Sequence, residues 1–297
     1  AEQHSQTVYR SRSVQGPFEP GPINPILTQR DLPSDHADRV EATGHADIVE
    51  IDGQWWGVFL GTRPFTGQST LLGRETFLLP VHWEDGWPYF LRQGEPVPLQ
   101  RLRPALPASP GTDWSQWRDD FSGKLSPEWI GLRTPGTQQQ YALDSGRLAI
   151  VLGSDSAGSL GHPSFLGRRM RHQAAQYVAR VTADADHPND FAGLLAFMDE
   201  AHFLACGIEG ETLAAHLRTA ADQPERGAPL ASVPRTGSGA LDLRLRIENG
   251  RAECAWRPAG SEQWRPIATD INVEPLASVH AGLFTGVVVG PYAVRGE

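Results

Sequence analysis

The sequence of this 297-residue chain contains no apolar run long enough to cross a bilayer, so it predicts a soluble protein rather than a helical membrane protein. It also lacks an excess of basic residues. The 26 Lys and Arg residues stand against 35 Asp and Glu residues, and the formal net charge is -9. Because nucleic acids and anionic membrane surfaces attract basic proteins, we expect neither as a partner.

Cysteine is scarce as well. The only two, Cys206 and Cys254, lie in apolar, strand-like contexts. That context favours two buried free thiols, with a disulfide as the alternative. The opening residues AEQHSQTVYR show no signal peptide, although the sequence does not fix the true start of the protein. The compartment therefore stays open, with the cytoplasm favoured over secretion.

Turn-forming residues are abundant, with 31 Gly and 24 Pro, and this profile favours short strands over long helices. Asp-Gly pairs at 52–53 and 85–86 separate strand-like runs and predict β-hairpins. The turn glycines Gly16, Gly53 and Gly86 lie 37 and 33 residues apart. Such spacing is typical of successive β-propeller blades, although unrelated hairpins would also produce it.

The residues after this region follow a different pattern. Proline, alanine, serine and glycine are concentrated in 101–113, and we predict a linker at 106–113 between a domain over 1–105 and a second over 114–297. In the second domain, apolar and polar residues alternate on both sides of Asn249-Gly250, which predicts a hairpin with one buried face. The run EGETLAAHLRTAAD is compatible with a helix, but its β-rich neighbours favour a strand. The predicted fold class is all-β, with a β-sandwich as the second domain.

Several motifs carry a resemblance to a known family. The block GHADIVEIDGQWWGVFLGTRP, followed by LGRETFLLPVHWEDGWP, and the later segments WRDDFSGKLSPEWIGLR, FAGLLAFMD and GLFTG resemble the two-domain β-xylosidases of glycoside hydrolase family 43. The resemblance implies the last two blades of a five-bladed β-propeller followed by a concanavalin-like β-sandwich. It implies inverting, exo-acting hydrolysis of β-1,4-xylosides in xylo-oligosaccharides, with α-L-arabinofuranosides as a second substrate.

The same resemblance places the family's catalytic acid and base on blades that would precede Ala1. We therefore predict no catalytic residue within this chain, and as partners a complementary N-terminal propeller fragment and further copies of the chain in a homo-oligomer. Asp47, Glu50 and Glu75 are not assigned as acid or base. No cofactor is expected to be required.

The resemblance also assigns residues that would contact substrate. Arg74 matches the family's substrate arginine, with an ion pair to Glu75 as the alternative. His45 matches a histidine near the propeller axis, with a purely structural role as the alternative. Phe284 resembles a loop aromatic that closes the pocket, in an alignment ambiguous by one residue with Leu283, and core packing is the alternative. The predicted supporting residues are Asp47, Thr43, His4 and Arg63.

Three further expectations complete the sequence-based picture. Trp55 and Trp56 read as core residues of a buried strand rather than as sugar-stacking platforms. Asp120, with Asp119, is a candidate ligand of a structural calcium ion, because calcium prefers carboxylate and carbonyl oxygens. The alternative functional class is a noncatalytic carbohydrate-binding protein, but a module that only binds sugar would have no need for the hydrolase motifs GHAD and LGRETF.

Overall fold

The computed structural model describes residues 4–33, 38–107, 111, 113–133, 140–183, 187–237, 239–282 and 284–296. The chain divides into two units, Ala1–Pro110 and Gly111–Glu297. Leu283, one of the two residues in the ambiguous alignment, lies outside the described residues.

Unit 1 contains a four-stranded antiparallel sheet whose strands follow chain order. The two turns of this sheet join β3 to β4 at Asp52-Gly53 and β5 to β6 at Asp85-Gly86, and all four turn residues have positive φ, as the primed hairpin turns require. A separate two-stranded sheet pairs β1 with β2. The strands are β1 (Tyr9–Arg10), β2 (Glu19–Pro20), β3 (Glu41–Ile51), β4 (Gln54–Thr62), β5 (Glu75–Glu84) and β6 (Trp87–Tyr89).

The two predicted Asp-Gly hairpins are confirmed, but the interpretation of their spacing is wrong. Strands β4 and β5 also pair with each other, so both hairpins belong to the same sheet. The 33 residues between Gly53 and Gly86 therefore span half of one blade rather than a blade-to-blade repeat. Local turn chemistry specifies each hairpin, but it does not specify which hairpins join edge to edge.

One face of the four-stranded sheet carries the core of unit 1. Phe59 on β4 stacks on Phe77 of β5, with ring centroids 5.7 Å apart, and meets Phe90 edge-on at 5.9 Å. Trp55 lies on the same face and packs edge-on against Trp83 at 5.2 Å, while Trp56 is buried on the opposite face, so both have the structural role that the sequence predicts. The buried cluster comprises Ile26, Leu27, Val40, Phe59, Leu79, Val81, Phe90 and Val97.

Unit 2 is a β-sandwich. A seven-stranded sheet has the order β15-β14-β13-β12-β19-β10-β7, a four-stranded sheet has the order β11-β16-β17-β18, and β8 pairs with β9. The helical segments are a 3-10 turn at Glu274–Leu276 and the one-turn helix α1 at Ser278–Ala281. The strands are β7 (Ile130–Gly131), β8 (Tyr141–Asp144), β9 (Arg147–Ile150), β10 (Ser164–Arg169), β11 (Ala174–Val181), β12 (Phe191–Asp199), β13 (His202–Glu209), β14 (Thr212–Arg218), β15 (Ala228–Pro234), β16 (Leu241–Glu248), β17 (Arg251–Pro258), β18 (Arg265–Asn272) and β19 (Val288–Val294).

Two sequence predictions for unit 2 are confirmed by these elements. The segment compatible with a helix forms strand β14 in the seven-stranded sheet. Strand β16 alternates as expected, because Leu243, Leu245 and Ile247 are buried while Arg246 and Glu248 are exposed. The molecule is thus nearly all-β. A membrane-spanning helix is not found anywhere in the described part of the chain.

The prediction of two free thiols is wrong. Both cysteines are buried, as expected, but they form a disulfide between β13 of the larger sheet and β17 of the smaller one. The two Cα atoms lie 6.1 Å apart, within the range that a disulfide spans. The bond therefore crosses the interior of the sandwich. Because the cysteines are separated by 48 residues, only the facing of the two sheets reveals that they meet.

Candidate functional site

Strand β3 is irregular where the GHAD motif begins. The pairing of β3 with β4 shifts register between Glu41 and Gly44 and again between Gly44 and Asp47. Ala42 and His45 both have positive φ, at 50° and 56°. A non-glycine residue in this conformation costs about 1–3 kcal/mol, so the surrounding contacts must hold it. The segment is a bulge, a feature that commonly re-aims a side chain beside a functional site.

The N-terminal segment of the chain braces this bulge. His4 Nδ1 lies 2.8 Å from the carbonyl oxygen of Ala42, and the N–H of Ala46 donates to Gln6 Oε1 at 2.8 Å. Gly44 lies so close to Ser5 that an added Cβ would stand 3.0 Å from the Ser5 carbonyl carbon. Glycine is therefore required at position 44 of the motif by the close approach of a second backbone. His4, predicted from the sequence as a supporting residue, contacts the bulge directly.

Three predicted residues on the bulge differ in exposure. Thr43 is completely buried, and its Oγ1 has no hydrogen-bond partner among the described residues. His45 and Asp47 are both exposed. Asp47 pairs across the ladder with Val58, so its side chain lies on the sheet face opposite to the aromatic core. The bulge thus exposes an imidazole and a carboxylate, while the threonine side chain between Ala42 and Gly44 is buried.

The register of the sheet places Arg74 at the same end of the sheet as His45. Gly44 pairs with Leu60, and Leu60 pairs with Thr76. The N-terminal parts of β3 and β5 therefore flank the C-terminal part of β4, one on each side. Arg74 immediately precedes β5 and is exposed. Since adjacent strands are about 4.8 Å apart, strands β3 and β5 are separated by roughly 10 Å across β4, and the register places Arg74 level with Glu41 and Thr62.

Arg63 and Glu75 form an ion pair at this end of the sheet. Arg63 Nε donates to Glu75 Oε2 at 2.9 Å, and Arg63 Nη2 donates to Oε1 at 2.7 Å. The hydrogen bonds from Arg63 to Glu75 raise the pKa of the arginine above its ordinary value. This bidentate geometry commits the Glu75 carboxylate to Arg63. The sequence singled out Arg63 only weakly, and no local pattern indicated its partner.

Unit 2 contains three residues that the sequence analysis singled out: Phe284, Asp119 and Asp120. Phe284 follows α1 and is 61% exposed, so packing into the core does not describe it. Asp119 accepts hydrogen bonds on both carboxylate oxygens, from the Phe121 N–H and from Trp129 Nε1, each at 2.8 Å. Asp120 Oδ1 accepts from the Ser122 N–H and hydroxyl, which lower the Asp120 pKa.

These aspartates already cap local turns, and calcium usually takes six to eight oxygen ligands. Within the described residues, no group of three or more His, Cys, Asp or Glu side chains could hold a metal ion. Asp119 and Asp120 would thus supply at most a minority of the ligands, with backbone carbonyls and water as the remainder. The calcium assignment stays a prediction.

Comparison with known proteins places both units. Residues 1–88 match the model of glycosyl hydrolases family 43, and residues 118–297 match that of the β-xylosidase C-terminal concanavalin A-like domain. The chain is 32% identical to a non-reducing end alpha-L-arabinofuranosidase of Bacteroides ovatus over 98% of the chain and 54% of that relative. It is 27% identical to a β-xylosidase of Bacillus subtilis over 97% of the chain and 57% of the relative.

Solved structures agree with the sequence relatives. The xylan beta-1,4-xylosidase of Bacillus halodurans superposes with a TM-score of 0.84 at 25% identity, over 97% of this chain and 56% of that one. A Bacteroides ovatus protein described as xyloglucan PUL GH43B gives a TM-score of 0.85 at 29% identity, again over 97% of this chain and 56% of that one. The chain spans about half the length of the relatives it matches. It belongs to the glycosyl hydrolases of family 43, and its second unit is the concanavalin A-like domain found at the C-terminus of β-xylosidases.

Proposed function

We propose that this chain is the C-terminal part of an inverting, exo-acting β-1,4-xylosidase that releases xylose from xylo-oligosaccharides, with α-L-arabinofuranosides as a second substrate. The observation that carries the proposal is the end of the unit 1 sheet at which the bulge of β3 exposes His45 and the residue before β5 exposes Arg74. A planar guanidinium hydrogen-bonds sugar hydroxyls and lowers the pKa of a neighbouring carboxylate base. The relatives described as xylosidases and arabinofuranosidases support the substrate class.

The carboxylates at this end of the sheet do not supply the catalytic acid and base. Inversion needs a carboxylic acid to protonate the leaving oxygen and a carboxylate, about 6.5–9.5 Å away, to activate water. Glu41 is ion-paired with Arg39, and Glu75 with Arg63. Asp47 alone cannot play both roles. We therefore assign the acid and the base to a complementary propeller segment, and the grip and orientation of the sugar to Arg74 and His45.

The sheet face of unit 1 opposite to the aromatic core offers a surface on which such a segment would pack. Val49, Val58 and Leu78 share the face opposite to the aromatic core, because Val58 pairs with Leu78 and Val49 lies two residues beyond Asp47. Their exposures are 47%, 40% and 41%. An apolar sheet face of this kind is the surface on which a neighbouring blade of a propeller would pack.

The test is complementation. The N-terminal propeller segment of the Bacillus subtilis relative is fused ahead of Ala1, and hydrolysis of an aryl β-xyloside is compared with that of an aryl α-L-arabinofuranoside. We expect the fusion to hydrolyse the xyloside faster, with α-xylose as the first product by NMR. The chain alone should show no turnover. Turnover by the isolated chain would mean that one of its own carboxylates is catalytic.

A pair of valine variants makes the test specific for the proposed face. Val58→Glu places a charge on the apolar face and should abolish activity when the two segments are mixed as separate chains. Val178→Glu on β11 of unit 2 is the matched control, because Val178 is also a strand valine and is 50% exposed. Equal activity of both variants would contradict the packing proposal. Saturable binding of xylo-oligosaccharides without turnover in the fusion would favour a noncatalytic carbohydrate-binding protein.

A further inference from the structure

Gln6 connects three segments of unit 1. Its backbone N–H donates to the Leu27 carbonyl at 2.9 Å, and its own carbonyl accepts from the Ile26 N–H at 2.8 Å. Ile26 and Leu27 are core residues, 7% and 2% exposed. The Gln6 side chain then reaches the bulge, where Oε1 accepts from the Ala46 N–H at 2.8 Å. The backbone of Gln6 is therefore fixed in the core while its amide oxygen contacts β3.

The bulge needs this acceptor. In the ladder between β3 and β4, Gly44 pairs with Leu60 and Asp47 with Val58, and neither His45 nor Ala46 has a paired residue. A backbone N–H left without an acceptor in a partly buried position costs about 1–3 kcal/mol. Gln6 Oε1 takes the place of the missing strand carbonyl. Its partner is the residue immediately after His45, and the positive φ of His45, 56°, sets the direction of its Cα–Cβ bond.

We propose that Gln6 is a positioning residue: by holding the Ala46 N–H it fixes the backbone of His45 and so the direction of the imidazole toward the sugar. The inference rests on the proposed function, in which His45 orients substrate. It assigns to Gln6 a role that the motif alone does not contain, because Gln6 lies 40 residues before its partner. Gln6 itself does not need to touch the substrate.

Two substitutions separate positioning from general stability, both made in the active fusion protein. Gln6→Leu removes the acceptor at similar volume, and Gln6→Glu keeps an acceptor oxygen, loses the exposed contact from Nε2 to the Thr7 carbonyl and adds a negative charge. We expect Gln6→Leu to lower kcat about tenfold with KM within twofold, since His45 stays present but is misdirected in the transition state. Gln6→Glu should recover most of kcat. Gln54→Leu, at the exposed first residue of β4, is the matched control and should change neither parameter.

Two further measurements make the outcomes distinct. Hydrogen exchange of the Ala46 amide should accelerate about tenfold in Gln6→Leu but not in Gln54→Leu. In a His45→Ala background, Gln6→Leu should have almost no additional effect on kcat, because both changes act through the same side chain. Faster Ala46 exchange with unchanged kcat, while His45→Ala lowers activity, would overturn the positioning role and leave the proposed function intact. Unchanged kinetics in His45→Ala would instead refute the role of His45, and the role of Gln6 with it.

Discussion

Reducing the disulfide should destabilise unit 2 without changing its fold. Cys206 and Cys254 are separated by 48 residues, so the bond closes a long loop in the unfolded chain. The chain-entropy relation for a loop of that length gives about 4 kcal/mol of stabilisation at 25 °C. For a domain of this size, 1 kcal/mol corresponds to roughly 2–4 °C, so the melting temperature of unit 2 should fall by about 8–16 °C. The fold should survive, because hydrophobic residues on both sheets bury the same core with or without the bond.

The assay is thermal unfolding of the oxidised protein and of protein reduced in denaturant and refolded with reductant present. Reduction in denaturant is necessary because both cysteines are at most 1% exposed. The double variant Cys206→Ala with Cys254→Ala is the control and should melt at the same temperature with or without reductant. Two thiols that react with a thiol reagent in denatured, never-reduced protein would refute the bond. Equal melting temperatures of oxidised and reduced protein would refute the loop-entropy reasoning.

Three other substitutions test the remaining assignments. Arg74→Ala in the active fusion should lower kcat/KM for an aryl β-xyloside about 100-fold, or 2.7 kcal/mol of transition-state stabilisation, and near-wild-type kinetics would remove Arg74 from the site. Phe284→Ala should change the free energy of unfolding by less than about 0.5 kcal/mol, since the residue is 61% exposed, while raising KM; unaltered kinetics would exclude a role in closing the pocket. Asp242 is buried, and hydrogen bonds from Arg180 and Arg257 hold its pKa below the ordinary value. Because that pKa is lower in the folded state, its stabilisation is present above about pH 4 and is lost as the pH falls. Asp242→Asn should therefore destabilise unit 2 by about 3 kcal/mol at pH 7, and by progressively less in melts at lower pH; a gap independent of pH would contradict the linkage.

The sequence predicted the features of the fold that depend on neighbouring residues. Each Asp-Gly hairpin follows from the positive φ that its two turn residues tolerate, and β16 follows from strict alternation of apolar and polar side chains. The sequence did not predict that β4 and β5 join the two hairpins into one sheet. That pairing depends on the loop between Thr62 and Glu75, whose path carries no periodic signal. The sequence also did not predict the disulfide, because each cysteine lies in a strand of a different sheet and only the packing of the two sheets brings them together.

The conformation of His45 depends on contacts that the motif does not contain. The motif GHAD marks His45, but the motif does not explain how a histidine with positive φ is held in that conformation. The answer lies in contacts made across long sequence separations: His4 to Ala42 over 38 residues, and Gln6 to Ala46 over 40. Gln6 is in turn bonded through its backbone to Ile26 and Leu27, so the geometry of the bulge depends on contacts from distant parts of unit 1. A peptide of residues 41–51 alone would lack these contacts, so we expect Ala42 and His45 in it to leave the positive-φ conformation and the imidazole to lose its fixed direction.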